Sequence, residues 1–194
     1  NLIQGFYAQT VSPDRGLLAF TPIMIFGILG LIVMYRRTVH YASLLLAIML
    51  MNVLLYAMWG DPWGGWAFGA RYMVLVCSVL SLFVGYLIHS SRYRFMTRLV
   101  TFATFGFSAG VALLGALTTN AVPPQIEGDY LKMKYNFTLN YDFLMSGRSS
   151  SFFYNSYAHN SIQLVDYYIL LYWIIMTVML VILVSSYRNN KYAN

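Results

Sequence analysis

Long apolar runs with almost no charge inside them constrain this chain more than any other feature of its sequence. Hydrophobic residues make up 59% of the 194 residues and charged residues only 9%, against roughly 25% charged residues in soluble domains. A helix needs about 20 apolar residues to cross the ~30 Å hydrocarbon core of a bilayer. Five runs approach that length, and we predict spans at 17–34, 41–58, 72–88, 99–117 and 164–185. The predicted fold is an all-α, polytopic integral membrane protein with a single transmembrane domain, 1–194.

The charged residues lie between the predicted spans and divide unequally between the two sides. One side carries seven cations and no acidic residue, namely Arg36, Arg37, Arg92, Arg94, Arg98, Arg188 and Lys191. The other side carries five cations and all six acidic residues. Because cytoplasmic loops are enriched in Lys and Arg, we predict a cytoplasmic (plasma) membrane protein with its N-terminus outside and its C-terminus in the cytoplasm. The cations form no basic stripe on a soluble face, so no nucleic-acid partner is expected.

A long external segment, 118–163, separates the last two predicted spans and is too long for a passive connection. It is rich in aromatic residues, and we expect it to be ordered against the loop that contains Trp63. Its stretches 141–145 and 152–154 are apolar enough to lie on the membrane surface or to pack on the other external loops. Asn136 begins an Asn-x-Thr tripeptide, which makes it a possible glycosylation site.

A short polar segment from Ser12 to Gly16 precedes the first apolar run and is typical of a turn followed by a helix start. Pro13 fixes φ, Ser12 or Asp14 can cap exposed N–H groups, and Gly16 permits a close backbone approach. Arg15 beside a helix N-terminus favours a phosphate, because the helix end carries a partial positive charge. Alternatively, Asp14 and Arg15 neutralise each other while the turn caps the helix, and the residues alone leave both interpretations open.

A second segment, 63–72, joins the second and third predicted spans. Its glycines let backbone or a ligand come close, its tryptophan faces suit sugar rings, and an arginine at a membrane mouth suits an anionic headgroup. Alternatively, the tryptophans form an interfacial aromatic belt and Arg71 snorkels to water. We predict that Arg15 and Arg71 converge on one external pocket. The candidate residues of this segment are Trp63, Gly64, Gly65, Trp66, Arg71 and Tyr72.

Together the two segments resemble the later part of bacterial and archaeal polytopic glycosyltransferases of the GT-C type, the relatives of the protein mannosyltransferases and the lipid A aminoarabinose transferases. The resemblance covers about the first 90 residues, and its two motifs are more specific in combination than singly. Ala70 departs from the pattern, in which a proline precedes the arginine. The matching residues are Ser12, Pro13, Arg15, Gly16, Leu17, Leu18, Pro22, Trp63, Gly64, Gly65, Trp66, Gly69, Arg71 and Tyr72.

The resemblance implies a fold of many transmembrane helices, a polyprenyl-phosphate-linked sugar as donor, and sugar transfer on the external face. Enzymes of this type carry an acidic catalytic motif in a first external loop, before the Ser-Pro-x-Arg segment, and this chain shows no such motif there. Glu127 and Asp129 are acidic and external but occupy the wrong place, and we interpret them as a solvated loop end. We therefore expect the chain to bind the lipid-linked sugar without catalysing transfer by itself, and its catalytic residues stay unassigned.

Other classes of site find little support in the sequence. His40, His89 and His159 lack a second ligand at helical spacing, so we expect no metal and no cofactor. The interiors of the predicted spans carry no charge, which argues against a proton relay or an ion-coupled carrier. The competing function is a non-catalytic integral subunit of a larger membrane complex. The expected partners are accordingly membrane lipid, a polyprenyl-phosphate sugar, or other membrane subunits.

Overall fold

The computed structural model describes residues 2–61, 63–89 and 95–192, with the side chains of 89, 95–97 and 186–192 left out of that description. Besides α-helices, these ranges contain a 3-10 turn at Arg71–Met73 and a π-helical turn at Tyr154–Ala158. The chain is an all-α polytopic membrane protein, as its sequence predicts. Its α-helices are α1 (Leu2–Thr10), α2 (Leu17–Phe20), α3 (Met24–Tyr35), α4 (Val39–Ala57), α5 (Val74–His89), α6 (Phe95–Leu117), α7 (Gln125–Leu131), α8 (Phe137–Met145) and α9 (Leu164–Tyr192).

Four helical stretches in the described ranges are long and apolar enough to cross a bilayer. They are Val39–Ala57, Arg71–Ile88, Arg98–Leu117 and Leu164–Ser185. Their ends lie within two residues of the last four predicted spans. Hydropathy therefore locates these helices well, because each is one uninterrupted apolar run with polar residues at its ends.

The predicted first span, 17–34, forms two helices instead of one. α2 ends at Phe20 and α3 begins at Met24. Pro22 lies between them, and it has no N–H with which to continue the hydrogen bonding of an α-helix. The turn closes instead through the Met24 N–H, which donates to the Thr21 carbonyl oxygen at 3.0 Å. α3 alone is about 18 Å long, shorter than the ~30 Å bilayer core.

α3 lies closely against α5, and two glycines make this approach possible. A Cβ on Gly27 would lie 2.7 Å from the carbonyl oxygen of Leu80, and one on Gly30 would overlap the carbonyl oxygen of Phe83. Small residues let membrane helices approach backbone to backbone. The buried side chains around this contact form one apolar core, namely Leu17, Leu31, Ala42, Met49, Met73, Val76, Val79, Leu80 and Phe83.

A helix that the apolar pattern did not predict, α1, packs against α4. Gly5 lies directly on the backbone of Ala57, where a Cβ would overlap the carbonyl oxygen. The buried Gln9 side chain donates from Nε2 to the carbonyl oxygen of Tyr56 at 2.8 Å. These contacts fix the start of the Ser12 turn above the end of α4.

Three segments meet at one end of the helix bundle, which we call the loop face: residues 11–16, 63–71 and 118–163. The Ala67 N–H donates to the carbonyl oxygen of Val122 at 3.0 Å, so the start of the long segment lies on the tryptophan-rich loop, as predicted. Residues near the end of the long segment pack elsewhere. Tyr154 and Ala158 pack instead on the ends of α6 and α9, in a second apolar core with Leu114, Leu117, Leu144 and Leu164.

The described cations of the predicted cation-rich side lie at the opposite end of the bundle. Arg36 and Arg37 are exposed in the turn between α3 and α4. Arg92 and Arg94 lie outside the described residues, as do the side chains of Arg188 and Lys191.

Candidate functional site

Arg15 is buried at the centre of the loop face, with 2% of its surface exposed. The turn that carries it is closed by hydrogen bonds from Gly16 N–H to the Ser12 carbonyl at 2.7 Å and from Ser12 N–H to the Tyr7 carbonyl at 3.0 Å. Glycine is required at position 16, because a Cβ there would lie 2.5 Å from backbone atoms of Ser12. The turn therefore holds Arg15 in one place, inside the protein.

The Arg15 guanidinium joins three segments of the chain through backbone carbonyls. Nη1 donates to the carbonyl oxygens of Trp63 and Gly65, the latter at 2.8 Å, and Nη2 donates to that of Pro123 at 3.0 Å. Charge-assisted hydrogen bonds of this kind are stronger than those between neutral groups. Nε is buried without a hydrogen-bond partner. Arg15 thus links the three segments of the loop face, and most of the N–H groups of its guanidinium already donate to backbone carbonyls.

Two consecutive glycines shape the loop that Arg15 holds. Asp61 begins the turn, because its Oδ1 accepts from the Trp63 N–H at 3.1 Å and its carbonyl accepts from the Gly64 N–H at 3.2 Å. Gly64 and Gly65 then adopt φ of 73° and 61°, a region that glycine enters at little cost. This turn presents the carbonyls of Trp63 and Gly65 to the same arginine nitrogen.

Carboxylates surround Arg15 at longer range and balance its charge. Burial lowers the pKa of the Arg15 guanidinium, and the negative charges of Asp14, Asp61 and Glu127 oppose that shift. Burial also raises the pKa of Asp14, whose Oδ2 lacks a hydrogen-bond partner, and Arg15 opposes that rise. Asp14 and Arg15 thus oppose the effect of burial on each other's pKa, whereas neither Ser12 nor Asp14 caps α2, whose N-cap is Gly16 without a side-chain hydrogen bond.

Arg71 differs from Arg15 because its side chain is exposed. Its guanidinium lies over the ring of Tyr72, 5.1 Å from the centroid, and Nη2 is 3.4 Å from the Tyr72 hydroxyl. The Tyr72 ring is in turn stacked on Tyr56 at 4.4 Å. Gly64 lies against this pair, since a Cβ there would be 3.3 Å from Arg71 Nε. Aromatic rings and a close backbone thus hold Arg71 at the surface, and within the described residues most of the N–H groups of its guanidinium have no acceptor.

An apolar cleft of about 180 Å³ adjoins Arg71 on the side of α5 and α6. Among the residues that line the cleft, Arg71 carries the charge and the others are uncharged. Val74 and Ala112 are exposed at the cleft, so it opens along the sides of helices that face lipid in a membrane. The volume is below the ~300 Å³ at which pockets for drug-sized ligands begin, so it suits part of a hydrocarbon chain. Its other apolar walls come from Leu17, Phe20, Phe68, Ala70, Cys77 and Val111.

The two tryptophans of the loop have different surroundings. Trp66 is exposed, and its Nε1–H donates to a carboxylate oxygen of Glu127 on α7. Trp63 is half-buried. Glu127 is therefore tied to the tryptophan-rich loop, although its sequence position suggested only a solvated loop end. This contact joins two segments that lie 61 residues apart.

The structure brings both predicted segments together but gives their residues separate places. Ser12, Asp14, Arg15 and Gly16 are buried beneath the loop, whereas Trp66 and Arg71 are exposed on it. The charges of the two arginines repel each other, which also lowers the pKa of Arg15. The sequence prediction missed the contributions of Tyr56, Phe20, Phe68, Val74, Ala112 and the Pro123 carbonyl.

Asn136 has a structural role at the start of α8. Its Oδ1 accepts hydrogen bonds from the Thr138 N–H at 3.0 Å and from the Thr138 hydroxyl. This is an N-cap, a position at which asparagine is strongly preferred. The cap accounts for the Asn-x-Thr pattern without a glycan, and glycosylation stays a prediction. Within the described residues, no group of three or more His, Cys, Asp or Glu side chains is placed to hold a metal ion.

The chain matches no protein-family model, no curated protein and no solved structure. The resemblance to GT-C glycosyltransferases therefore stays a hypothesis.

Proposed function

We propose that this membrane protein binds a lipid-linked phosphate at Arg71 on the loop face. The observation that carries the proposal is an exposed arginine at an apolar cleft between helices long enough to span a bilayer. A lipid phosphate combines the same two features, an anionic headgroup joined to a hydrocarbon chain. In this arrangement the guanidinium binds phosphate oxygens, and the cleft receives the chain segment nearest the headgroup.

The resemblance to GT-C enzymes makes a polyprenyl-phosphate-linked sugar the ligand that we propose. Trp66 would lie beside the sugar, because it is exposed on the same loop as Arg71. Arg15 takes a supporting part in this proposal. Its hydrogen bonds to the carbonyls of Trp63 and Gly65 hold the loop that carries Arg71 and Trp66. The proposal is for binding of the lipid-linked sugar, without catalysis by this chain alone.

We expect Arg71→Ala to weaken binding of a polyprenyl monophosphate roughly ten- to a hundred-fold, since a hydrogen-bonded charge contributes about 1.5–3 kcal/mol. Arg71→Lys should also lose affinity, because an ammonium lacks the planar fork that matches phosphate. Affinities would be measured by titrating the lipid into purified protein in phosphatidylcholine nanodiscs. Arg36→Ala is the matched control, since Arg36 is also exposed but lies at the opposite end of the bundle.

The cleft can be tested separately from the headgroup. Ala112→Phe should fill the cleft and weaken binding of the polyprenyl monophosphate, while leaving binding of a two-carbon alkyl phosphate unchanged. Equal polyprenyl monophosphate affinity in wild type, Arg71→Ala and Ala112→Phe would refute the proposal. The aromatic-belt and snorkelling interpretation of the loop would then remain.

A second candidate is a non-catalytic subunit of a larger membrane complex, and the exposure of α9 favours it. Within the Leu164–Ser185 stretch, only Leu164 and Met176 are buried by this chain. Trp173, Ile174 and Val181 are among its exposed apolar residues. Lipid alone can cover such a helix, but so can the helices of another subunit. Co-purification of further membrane proteins, with no lipid-phosphate binding, would favour this candidate.

We also propose that the loop face is external, as the distribution of cations predicts. A cysteine replacing Ser150, which is exposed on the loop face, should react with a membrane-impermeant thiol reagent on intact cells. A cysteine replacing Asn190, in the last part of α9, should react only after the cells are permeabilised. The reverse pattern would invert the orientation and move the proposed lipid-phosphate site to the cytoplasmic side.

A further inference from the structure

An uncharged, aromatic stretch lies at the end of the long segment, directly before α9. The chain has no Lys, Arg, Asp or Glu between Arg148 and Asp166. The preceding part of the same segment, 125–148, carries six such residues. The contrast gives the loop face two different parts, one with charged side chains and one with aromatic and uncharged polar side chains.

Hydrogen bonds fix the height of the uncharged stretch relative to the spanning helices. The Ser150 N–H donates to the Thr118 carbonyl at 2.8 Å, and the Ser149 hydroxyl donates to the Leu117 carbonyl, both at the end of α6. The ring of Tyr154 lies 5.3 Å from that of Tyr167 in the first turn of α9. The stretch is therefore level with the ends of two spanning helices rather than above them.

The first turn of α9 lies close to the edge of the hydrocarbon core. Its apolar part, Leu164–Ser185, has 22 residues and a length of about 33 Å, slightly more than the ~30 Å core. Groups level with Leu164 thus reach the boundary between acyl chains and headgroups. Aromatic side chains are enriched at this depth.

The helical turn within this stretch is buried on one side and has exposed aromatic rings on the other. Tyr154 and Ala158 are buried against the ends of α6 and α9. Phe152, Phe153 and Tyr157 are 76%, 61% and 69% exposed on the outer side. Their rings contact one another, with centroids 5.2 Å apart for Phe153 and Tyr157 and 6.5 Å for Phe152 and Tyr157. The polar residues of the turn, Asn155 and Ser156, are also exposed, and Asn155 Nδ2 donates to the Ser149 carbonyl oxygen at 3.0 Å.

We infer that residues 152–157 form an interfacial anchor, with the rings of Phe152, Phe153 and Tyr157 inserted into the bilayer leaflet on the loop face. The partner is the lipid surface itself. Its position at the level of the membrane boundary, its three exposed aromatic rings and its lack of charge favour lipid over water. The anchor is independent of the proposed phosphate site, which lies on α5, α6 and the 68–71 loop.

The anchor can be tested with single nitroxide spin labels on a Cys77→Ala background, in protein reconstituted into phosphatidylcholine nanodiscs. Labels would replace Phe153 or Tyr157, and Tyr130 would serve as the reference. Tyr130 is 87% exposed on α7 but lies beside Asp129 and close to Lys132. We expect labels at 153 and 157 to be more accessible to oxygen than to a water-soluble nickel chelate. The label at 130 should show the opposite preference.

Preferential access of the nickel chelate to 153 and 157 would overturn the anchor, because the rings would then lie in water. Low access of both reagents would also overturn it, because protein would then cover the rings. A preference for oxygen at 130 as well would show that the property is not specific to the uncharged stretch, and it would equally reject the assignment. Substitutions at these exposed positions remove no buried contact, so the fold should tolerate each label.

Discussion

Arg15→Ala is expected to lower the free energy of unfolding by about 3–5 kcal/mol, because it leaves one buried and two partly buried carbonyls without their charged donor. Those carbonyls belong to Trp63, Gly65 and Pro123, so the loops should separate as well as lose stability. Thermal or denaturant unfolding of the detergent-solubilised protein would measure the first effect. Faster protease cleavage within 118–131 would report the second.

Arg71→Ala is the matched control for this prediction. It removes an arginine from the same face, but the side chain is exposed, so stability should change by no more than about 0.5 kcal/mol. Arg15→Lys should retain part of the stability, since an ammonium can reach one or two of the carbonyls but lacks the guanidinium geometry. Equal losses in Arg15→Ala and Arg71→Ala would contradict the division of these two arginines into a supporting and a ligand-facing residue.

The two segments that the sequence singled out do meet on the loop face, but the sequence did not predict that Arg15 points into the protein. An arginine at a turn looks the same in sequence whether it faces a phosphate or protein carbonyls. The groups that bind Arg15 are backbone atoms, which any residue supplies, and one belongs to Pro123, 108 residues away. Arg71 was predictable in a way that Arg15 was not, because its immediate neighbour Tyr72 sets much of its environment.

The fold shows the same difference between features that local sequence determines and features that depend on contacts between distant residues. Apolar runs locate the four long helices because hydrophobicity over about 20 residues is a property of the run itself. The break between α2 and α3 has a local cause in the sequence, Pro22. We predicted one continuous span there because the apolar run continues across the proline. α1 has few features of a spanning segment, and its place depends on Gly5 meeting Ala57, a contact between distant residues. The cleft beside Arg71 likewise depends on how α2, α5 and α6 pack.

Gly30→Ala should destabilise the protein by about 2–3 kcal/mol, the range in which overpacking a close contact is costly. Its Cβ would overlap the Phe83 carbonyl oxygen, which belongs to the backbone of α5 and cannot rotate away as a side chain could. α3 and α5 would have to separate, opening the core between them. Unfolding of the purified protein in detergent would measure the loss, with the midpoint falling by roughly 4–12 °C.

Gly85→Ala provides the control within the same pair of helices, because nothing lies within 4 Å of a Cβ at that position in α5. Alanine favours a helix over glycine by up to about 1 kcal/mol, so this variant should be as stable as wild type or more stable. Both glycines lie among apolar residues in a helix of the bundle. They differ in what an added Cβ would meet. Similar stability of Gly30→Ala and Gly85→Ala would show that α3 does not approach α5 as closely as Gly27 and Gly30 allow. The predicted difference therefore tests the contact that holds the interrupted helix in the bundle.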